Sequence, residues 1–279
     1  GVNVTLARID TQLGSDLAMQ DALRLSPLMS PWAVDAAGKE KIGTLFFLPG
    51  KLTYPDGTFA INKTSNVNPL VEIANSSQTQ KTWQTVGNVY FQYQPAKWMT
   101  FKTTFAAGIE NTTNGTAYGA NSNAGVTLNG KNSSSLENYD NFNYTWDNQI
   151  DLKKTFNDVH DFSVLLLQSI YSNKDEKSYL YSNTQPFDTG TNNIGSGVQT
   201  SYVVRSSYAK NTLNSYAVRL NYTYKDKYLL TASNRWDGSS VLSADNKWQS
   251  FPSVALGWKI SKESFLANSS VVSDLKLRA

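Results

Sequence analysis

The 279-residue chain carries 25 basic and 22 acidic residues, a net charge of +3 that is too small to support a nucleic-acid-binding surface. It has no cysteine, which excludes disulfides and thiolate zinc sites. Charged residues make up 17% and aromatics 12%, with Asn, Ser and Thr filling the deficit of charge, a balance suited to long antiparallel strands with wet loops.

Along the chain the hydrophobic period is two almost throughout. A first strand is expected over 1–13, followed by a long connection, 14–79. That connection holds the best helical candidate, 16–25, where Asp16 can cap a short amphipathic turn. Within it Tyr54-Pro55-Asp56-Gly57 also reads as a turn. Strands two and three, 80–94 and 98–110, are joined by the short Pro95-Ala96-Lys97. On strand two Trp83, Val89, Phe91 and Tyr93 oppose Gln84, Asn88 and Gln92. A long segment, 111–141, leads to strand four, 142–155. There Phe142, Tyr144, Trp146, Ile150 and Leu152 oppose Asn143, Thr145, Asp147, Gln149 and Asp151. A short turn ending at His160 precedes strand five, 161–175. Another long segment, 176–211, precedes strand six, 212–224, where Tyr216, Val218, Leu220, Tyr222 and Tyr224 oppose Ser215, Ala217, Arg219, Asn221 and Thr223. Lys225-Asp226 turns into strand seven, 227–237. A moderate segment, 238–246, leads to strand eight, 247–260. Pro252 stands at a strand start there, and Val254, Leu256, Trp258 and Ile260 share a face. The connection 261–273, with a helical turn around 262–266, reaches strand nine, 274–279.

The connections alternate in length, short then long. Short turns on one rim and long polar loops on the other are the arrangement of outer-membrane barrels. A mean hydropathy of −0.41 does not oppose this, because a membrane strand alternates apolar and polar residues. No run approaches the 18 apolar residues of a membrane helix. The fold class expected is therefore all-β, a transmembrane antiparallel up-and-down β-barrel with a polar lumen including Arg219, Asn221, Asp147 and Asp151. Trp83, Trp98, Tyr144, Trp146, Tyr216, Tyr228 and Trp258 suit an interfacial girdle. Nine strands is an odd number, and the apolar and basic pattern is still running at Ala279. Residues 1–279 are thus expected to be a fragment of a larger barrel domain. The 261–273 connection is too long for its rim and breaks the alternation.

From Asn214 to Ala279 the sequence resembles the barrel of the SusC/RagA family of TonB-dependent outer-membrane transporters. The resemblance rests on Tyr222-Thr223-Tyr224-Lys225-Asp226-Lys227-Tyr228-Leu229-Leu230-Thr231-Ala232-Ser233, and on Arg235 followed by Asp237-Gly238-Ser239-Ser240. It continues through Asn246-Lys247-Trp248, Phe251-Pro252-Ser253, Gly257-Trp258-Lys259-Ile260-Ser261, Glu263-Ser264-Phe265-Leu266 and Asp274-Leu275-Lys276-Leu277-Arg278-Ala279. Residues 68–175 fit more loosely, through Asn68-Pro69 and Gly87-Asn88-Val89-Tyr90. Trp236 and Asn234 depart from the family pattern. The resemblance implies a barrel of about 22 strands around a plug domain, in the outer membrane of a Gram-negative bacterium. It implies a SusD-like surface lipoprotein as lid, the TonB complex as energy source through an N-terminal part, and a glycan or peptide substrate, most commonly an oligosaccharide. Neither the plug nor a TonB-contacting segment is visible in these residues.

Physically, Asp237-Gly238-Ser239-Ser240 reads as a loop-shaping element in which Gly supplies positive φ and Asp and Ser bond the local backbone. The loop aromatics Tyr118, Tyr139, Tyr179, Tyr181 and Phe187 could stack on sugar rings. Catalytic, metal and cofactor sites are not expected. His160 is the only histidine and falls in an exposed turn. Glu137, Asp140, Asp147 and Asp151 are the nearest thing to a carboxylate cluster. Two rival readings stay open: a soluble all-β carbohydrate-binding module, whose apolar faces would be buried under a second sheet, and a β-rich glycoside hydrolase, which needs two convergent carboxylates.

Overall fold

The computed structural model describes residues 1–24, 30–35, 37–45, 52–53, 59–60, 68–266 and 271–279. The Tyr54-Pro55-Asp56-Gly57 turn lies outside them. Nine strands form one sheet in which each pairs with the next along the chain, always antiparallel. They are β1 Val2–Leu13, β2 Ser76–Ala96, β3 Met99–Tyr118, β4 Asn132–Phe156, β5 His160–Gln185, β6 Tyr202–Tyr224, β7 Tyr228–Ser239, β8 Trp248–Lys259 and β9 Lys276–Arg278. This is the expected up-and-down order. No described helix is long and apolar enough to cross a membrane.

Two of the short turns place consecutive residues at positive φ, Asn157 and Asp158 in one and Lys225 and Asp226 in the other. That is the backbone of turns whose twist matches the flanking strands. At the opposite rim the strands run further than composition suggests. Residues 111–118, 132–141, 176–185 and 202–211, expected as loop, are strand. Their polar side chains hold the extension together across strands. Gln80 Nε2 donates to Asn114 Oδ1 (3.0 Å), and Thr113 Oγ1 donates to Asn138 Oδ1 (3.0 Å). Asn141 Nδ2 donates to Asn173 Oδ1 (2.8 Å).

The long first connection contains helix α1, Asp16–Arg24, and helix α2, Pro69–Asn75; the next long connection contains α3, Asn123–Thr127. Asn68 caps α2 by accepting from the Leu70 N–H (3.0 Å). Glu72 is fully buried and accepts from Ser15 Oγ (3.1 Å) and the Asn123 N–H (2.6 Å), while buried Asp21 accepts from Asn123 Nδ2 (3.0 Å). These bonds join the two long connections into one cap at the loop rim. Burial pushes the Asp21 carboxyl above its ordinary pKa.

Register decides which side chains share a face, because directly paired residues point the same way. One row runs Tyr93, Phe101, Ile150, Leu166, Val218, Asn234, Pro252 across seven strands. At the turn rim another runs Phe156, His160, Tyr224, Tyr228, Trp258, Leu277. Every apolar set read from the sequence on strands two, four and six lands on this one face. Its side chains are open to the surroundings: Phe91 is 60% exposed, Val254 69% and Leu256 58%. Among the described residues no second sheet covers it, which removes the burial that the soluble-module reading requires. An apolar face this wide suits lipid.

Three readings are corrected. His160 is not an exposed turn residue; it opens β5, half-buried, with its ring 5.0 Å from that of Tyr224 and its Nδ1 2.8 Å from the Tyr222 hydroxyl. Pro252 is not at a strand start but inside β8. The Ser239 N–H donates to Lys247 O (3.0 Å) and the Lys259 N–H to Lys227 O (2.8 Å), so the odd-numbered positions of β7 and β8 form the hydrogen-bonded pairs. The Pro252 nitrogen therefore faces away from β7, and the β7–β8 ladder loses no bond to it. Trp98 lies in the turn between β2 and β3, whereas Trp83, Tyr144, Trp146, Tyr216, Tyr228 and Trp258 are on the apolar face.

The over-long connection after β8 opens with a 3-10 turn, Ile260–Lys262, and is tied to the neighbouring turn. Glu263 accepts from Lys227 Nζ (2.8 Å), the Tyr228 hydroxyl (2.8 Å) and Trp258 Nε1 (3.1 Å). Asp226 pairs with both Lys259 and Lys262.

Candidate functional site

The other face of the sheet is polar, and it contains all four residues expected in the lumen: Asp147, Asp151, Arg219 and Asn221. One of its rows runs Thr104, Asp147, Ser169, Ser215, Asp237, Gln249. Ser169 Oγ donates to Asp147 Oδ1 (2.5 Å). Arg235 donates from Nη2 to Ser215 Oγ (3.0 Å) and from Nε to Asp237 Oδ1 (2.7 Å). The polar wall is thus laced by bonds between its own side chains, while the Arg235 side chain stays 45% exposed.

Towards the loop rim this face gains phenols. Tyr118, Tyr139, Tyr179 and Tyr181 are not loop residues; they lie on β3, β4 and β5. All four share the polar face, because Tyr118 pairs with Ser133, Tyr139 with Lys177, Tyr179 with Glu137 and Tyr181 with Ser135. Only Phe187 lies in a connection, 71% exposed. Tyr179 and Tyr181 are parallel neighbours, ring centroids 6.5 Å apart and 14° between planes. The Tyr139 hydroxyl donates to Asp175 Oδ1 (2.5 Å), and Lys177 Nζ stands 5.2 Å from the Tyr139 ring. Asn141 and Asn173 also donate to Asp175, each at 2.7 Å. The sequence reading did not single out Asn173 and Asp175, at the end of its strand five, and it placed Lys177 in the connection that followed. Their spacing of two was the available signal.

The Arg235, Asp237, Gly238, Ser239, Ser240 group is likewise on a strand rather than in a loop, except for Ser240. Gly238 does not have positive φ. A Cβ there would meet the Trp248 ring at 2.7 Å, so the glycine makes room for an indole on the paired strand. Ser240 closes the sheet on β6 instead: its N–H donates to Thr212 O (2.9 Å) and its Oγ accepts from the Thr212 N–H (2.8 Å).

The carboxylates do not converge. Glu137, Asp147 and Asp151 are spread along β4 on the polar face, and Asp140 points to the other side. Among the described residues no group of three or more His, Cys, Asp or Glu is placed to hold a metal ion.

No known family's sequence model matches the chain. Over 215 residues, 76% of this chain and 22% of the relative, it is 32% identical to TonB-dependent receptor P26 of Formosa agariphila. Over 80 residues, 29% of this chain and 8% of the relative, it is 56% identical to TonB-dependent receptor SusC of Bacteroides thetaiotaomicron. Among solved structures, the RagAB peptide importer in its closed-closed state superposes with a TM-score of 0.70 at 19% identity, covering 85% of this chain and 25% of that one. The chain therefore spans about a fifth of the length of receptor P26. The matched relatives are receptors and not enzymes. Sequence and strand order together make the chain a member of the SusC/RagA family of TonB-dependent receptors, here nine consecutive strands of its outer-membrane barrel wall.

Proposed function

We propose that the protein to which this wall belongs takes up a nutrient across the outer membrane by TonB-dependent transport, and that the nutrient is an oligosaccharide. In this reading a SusD-like surface lipoprotein closes the mouth, and the TonB complex acts through an N-terminal part. The wall itself does no chemistry: it is a rigid polar lining whose loop-rim section meets the substrate. One observation carries the substrate assignment. Tyr139, Tyr179 and Tyr181 share the polar face with Asn141, Asn173 and Asp175, so aromatic rings stand beside fixed hydrogen-bonding groups, the combination that sugar rings and their hydroxyls require. The RagAB neighbour is a peptide importer, and peptides are the second reading.

The test is uptake by cells that depend on the full-length receptor. Changing Tyr179 and Tyr181 together to alanine is expected to lower oligosaccharide uptake at least about tenfold, roughly 1.4 kcal/mol, with the barrel still folded. Unchanged oligosaccharide uptake in the double variant sinks the site. Loss of peptide uptake alone selects the second reading.

A further inference from the structure

The lipid-facing side carries polar side chains that are connected to one another. Trp146 Nε1 donates to Thr103 Oγ1 (3.0 Å), Thr103 Oγ1 to Asn148 Oδ1 (2.8 Å) and Asn148 Nδ2 to Gln168 Oε1 (2.7 Å). Thr103, Asn148 and Gln168 are directly paired across β3, β4 and β5, and the row continues to Tyr216 and Trp236. The run of donors ends at Gln168, whose own amide nitrogen has no partner among the described residues. In hydrocarbon an amide donor without an acceptor is expensive.

Beside Gln168 lies an open groove of about 370 Å³, walled by Phe101, Ile150, Leu166, Val218, Tyr216 and Trp236. On β5 the outward apolar run Phe162, Val164, Leu166, Ile170 is interrupted beyond Ile170 by Ser172, Lys174, Glu176 and Ser178 before Leu180, so Gln168 is near the loop-rim end of that run. Further up, Lys174 and Lys210 are directly paired on the same face, a like-charge pair that an anion would relieve. Lys174 is bonded to Glu176 (2.9 Å), while Lys210 forms no ion pair among the described residues. From the Gln168 row to the lysine row is about 20 Å along the strand, or about 15 Å of depth at a tilt of about 40°. Two extended side chains reaching toward each other narrow that to the separation of a lipid headgroup from its acyl carbonyls.

We propose that the outer face of β4–β6 is a binding site for one phosphorylated acyl lipid of the outer leaflet. An acyl chain fills the groove, its ester or amide carbonyl accepts from Gln168, and its phosphate meets Lys210. The site is continuous with the lipid-facing side of the wall. The proposal rests on the barrel assignment and is independent of which nutrient is carried.

The test uses the full-length receptor, purified in mild detergent and examined by native mass spectrometry, with heat-modified gel mobility as the check of the folded barrel. Wild type is expected to retain a phosphorylated lipid that Gln168→Leu and Lys210→Glu each lose roughly tenfold, with uptake unchanged. Equal lipid retention in all three overturns the proposal. A dimer that Gln168→Leu dissociates, with no lipid bound to wild type, overturns it in favour of a second copy.

Discussion

Gly238 shows how a residue can be noticed in the sequence for the wrong reason. In a run of Asp, Gly and Ser a glycine suggests a turn at positive φ, yet this one is extended and serves as a seat for Trp248. The partner indole lies across the hairpin, and nothing local in the sequence points to it. Ser240 is similar: its bonds are to Thr212, on the adjacent strand β6 across one hairpin turn. What was legible was that the group stands at the end of β7; the contacts it makes there depend on pairing. Gly238→Ala places a methyl 2.7 Å from the indole carbons, and the ring is backed by Tyr216 at 6.0 Å, so it cannot simply swing aside. Overpacking of this kind costs about 1–3 kcal/mol. The full-length variant is expected to lose its heat-modified mobility at a lower temperature than wild type. Adding Trp248→Leu should restore the midpoint, and a variant that melts with wild type would show that the ring has room.

Single elements were legible where alternation is strict and failed where composition overrode it. The Asn, Thr and Ser residues of 111–118 and 132–141 read as loop because those residues favour turns, but in a sheet the same groups bond sideways to the next strand. The connection after β8, anomalous in length, gains its reason from the two carboxylates it engages. Lys227 first, then the Tyr228 hydroxyl and the Trp258 indole, hold the Glu263 carboxyl down to about 2. Hydrogen bonds from Lys259 and Lys262 hold Asp226 below its ordinary range. Both folded-state values are depressed, so the unfolded chain binds these protons first as pH falls. The stabilisation is complete above the ordinary carboxylate range and is lost as pH descends toward about 2 for Glu263. Glu263→Gln is therefore expected to lower the thermal midpoint at pH 7, by an amount that shrinks steadily through pH 4 and pH 3. A difference that stays constant across that range would mean that charge on Glu263 contributes nothing.

At the scale of the whole wall, orientation follows from register, and register is what a sequence reading reaches least directly. Val164, Leu165, Leu166 and Leu167 form an unbroken apolar run that alternation cannot orient. Pairing does orient it: Leu166 joins Ile150 and Val218 on the lipid side, while Leu165 joins Asp151 and Arg219 on the polar side. A slip of one residue would exchange the two sides along every strand. Two adjacent leucines therefore test the entire assignment. An arginine in place of Leu166, in the middle of the apolar band, must be taken out of water into hydrocarbon and is expected to cost about 2–4 kcal/mol. An arginine in place of Leu165 keeps its charge in the lumen next to Asp151 and should cost under about 1 kcal/mol. Denaturant unfolding of the full-length barrel in liposomes measures both. The asymmetry in that order requires the bilayer to lie against the Leu166 face. Equal costs would mean that neither face meets lipid, and a reversed order would turn the wall inside out and move the phenols from the substrate path to the membrane.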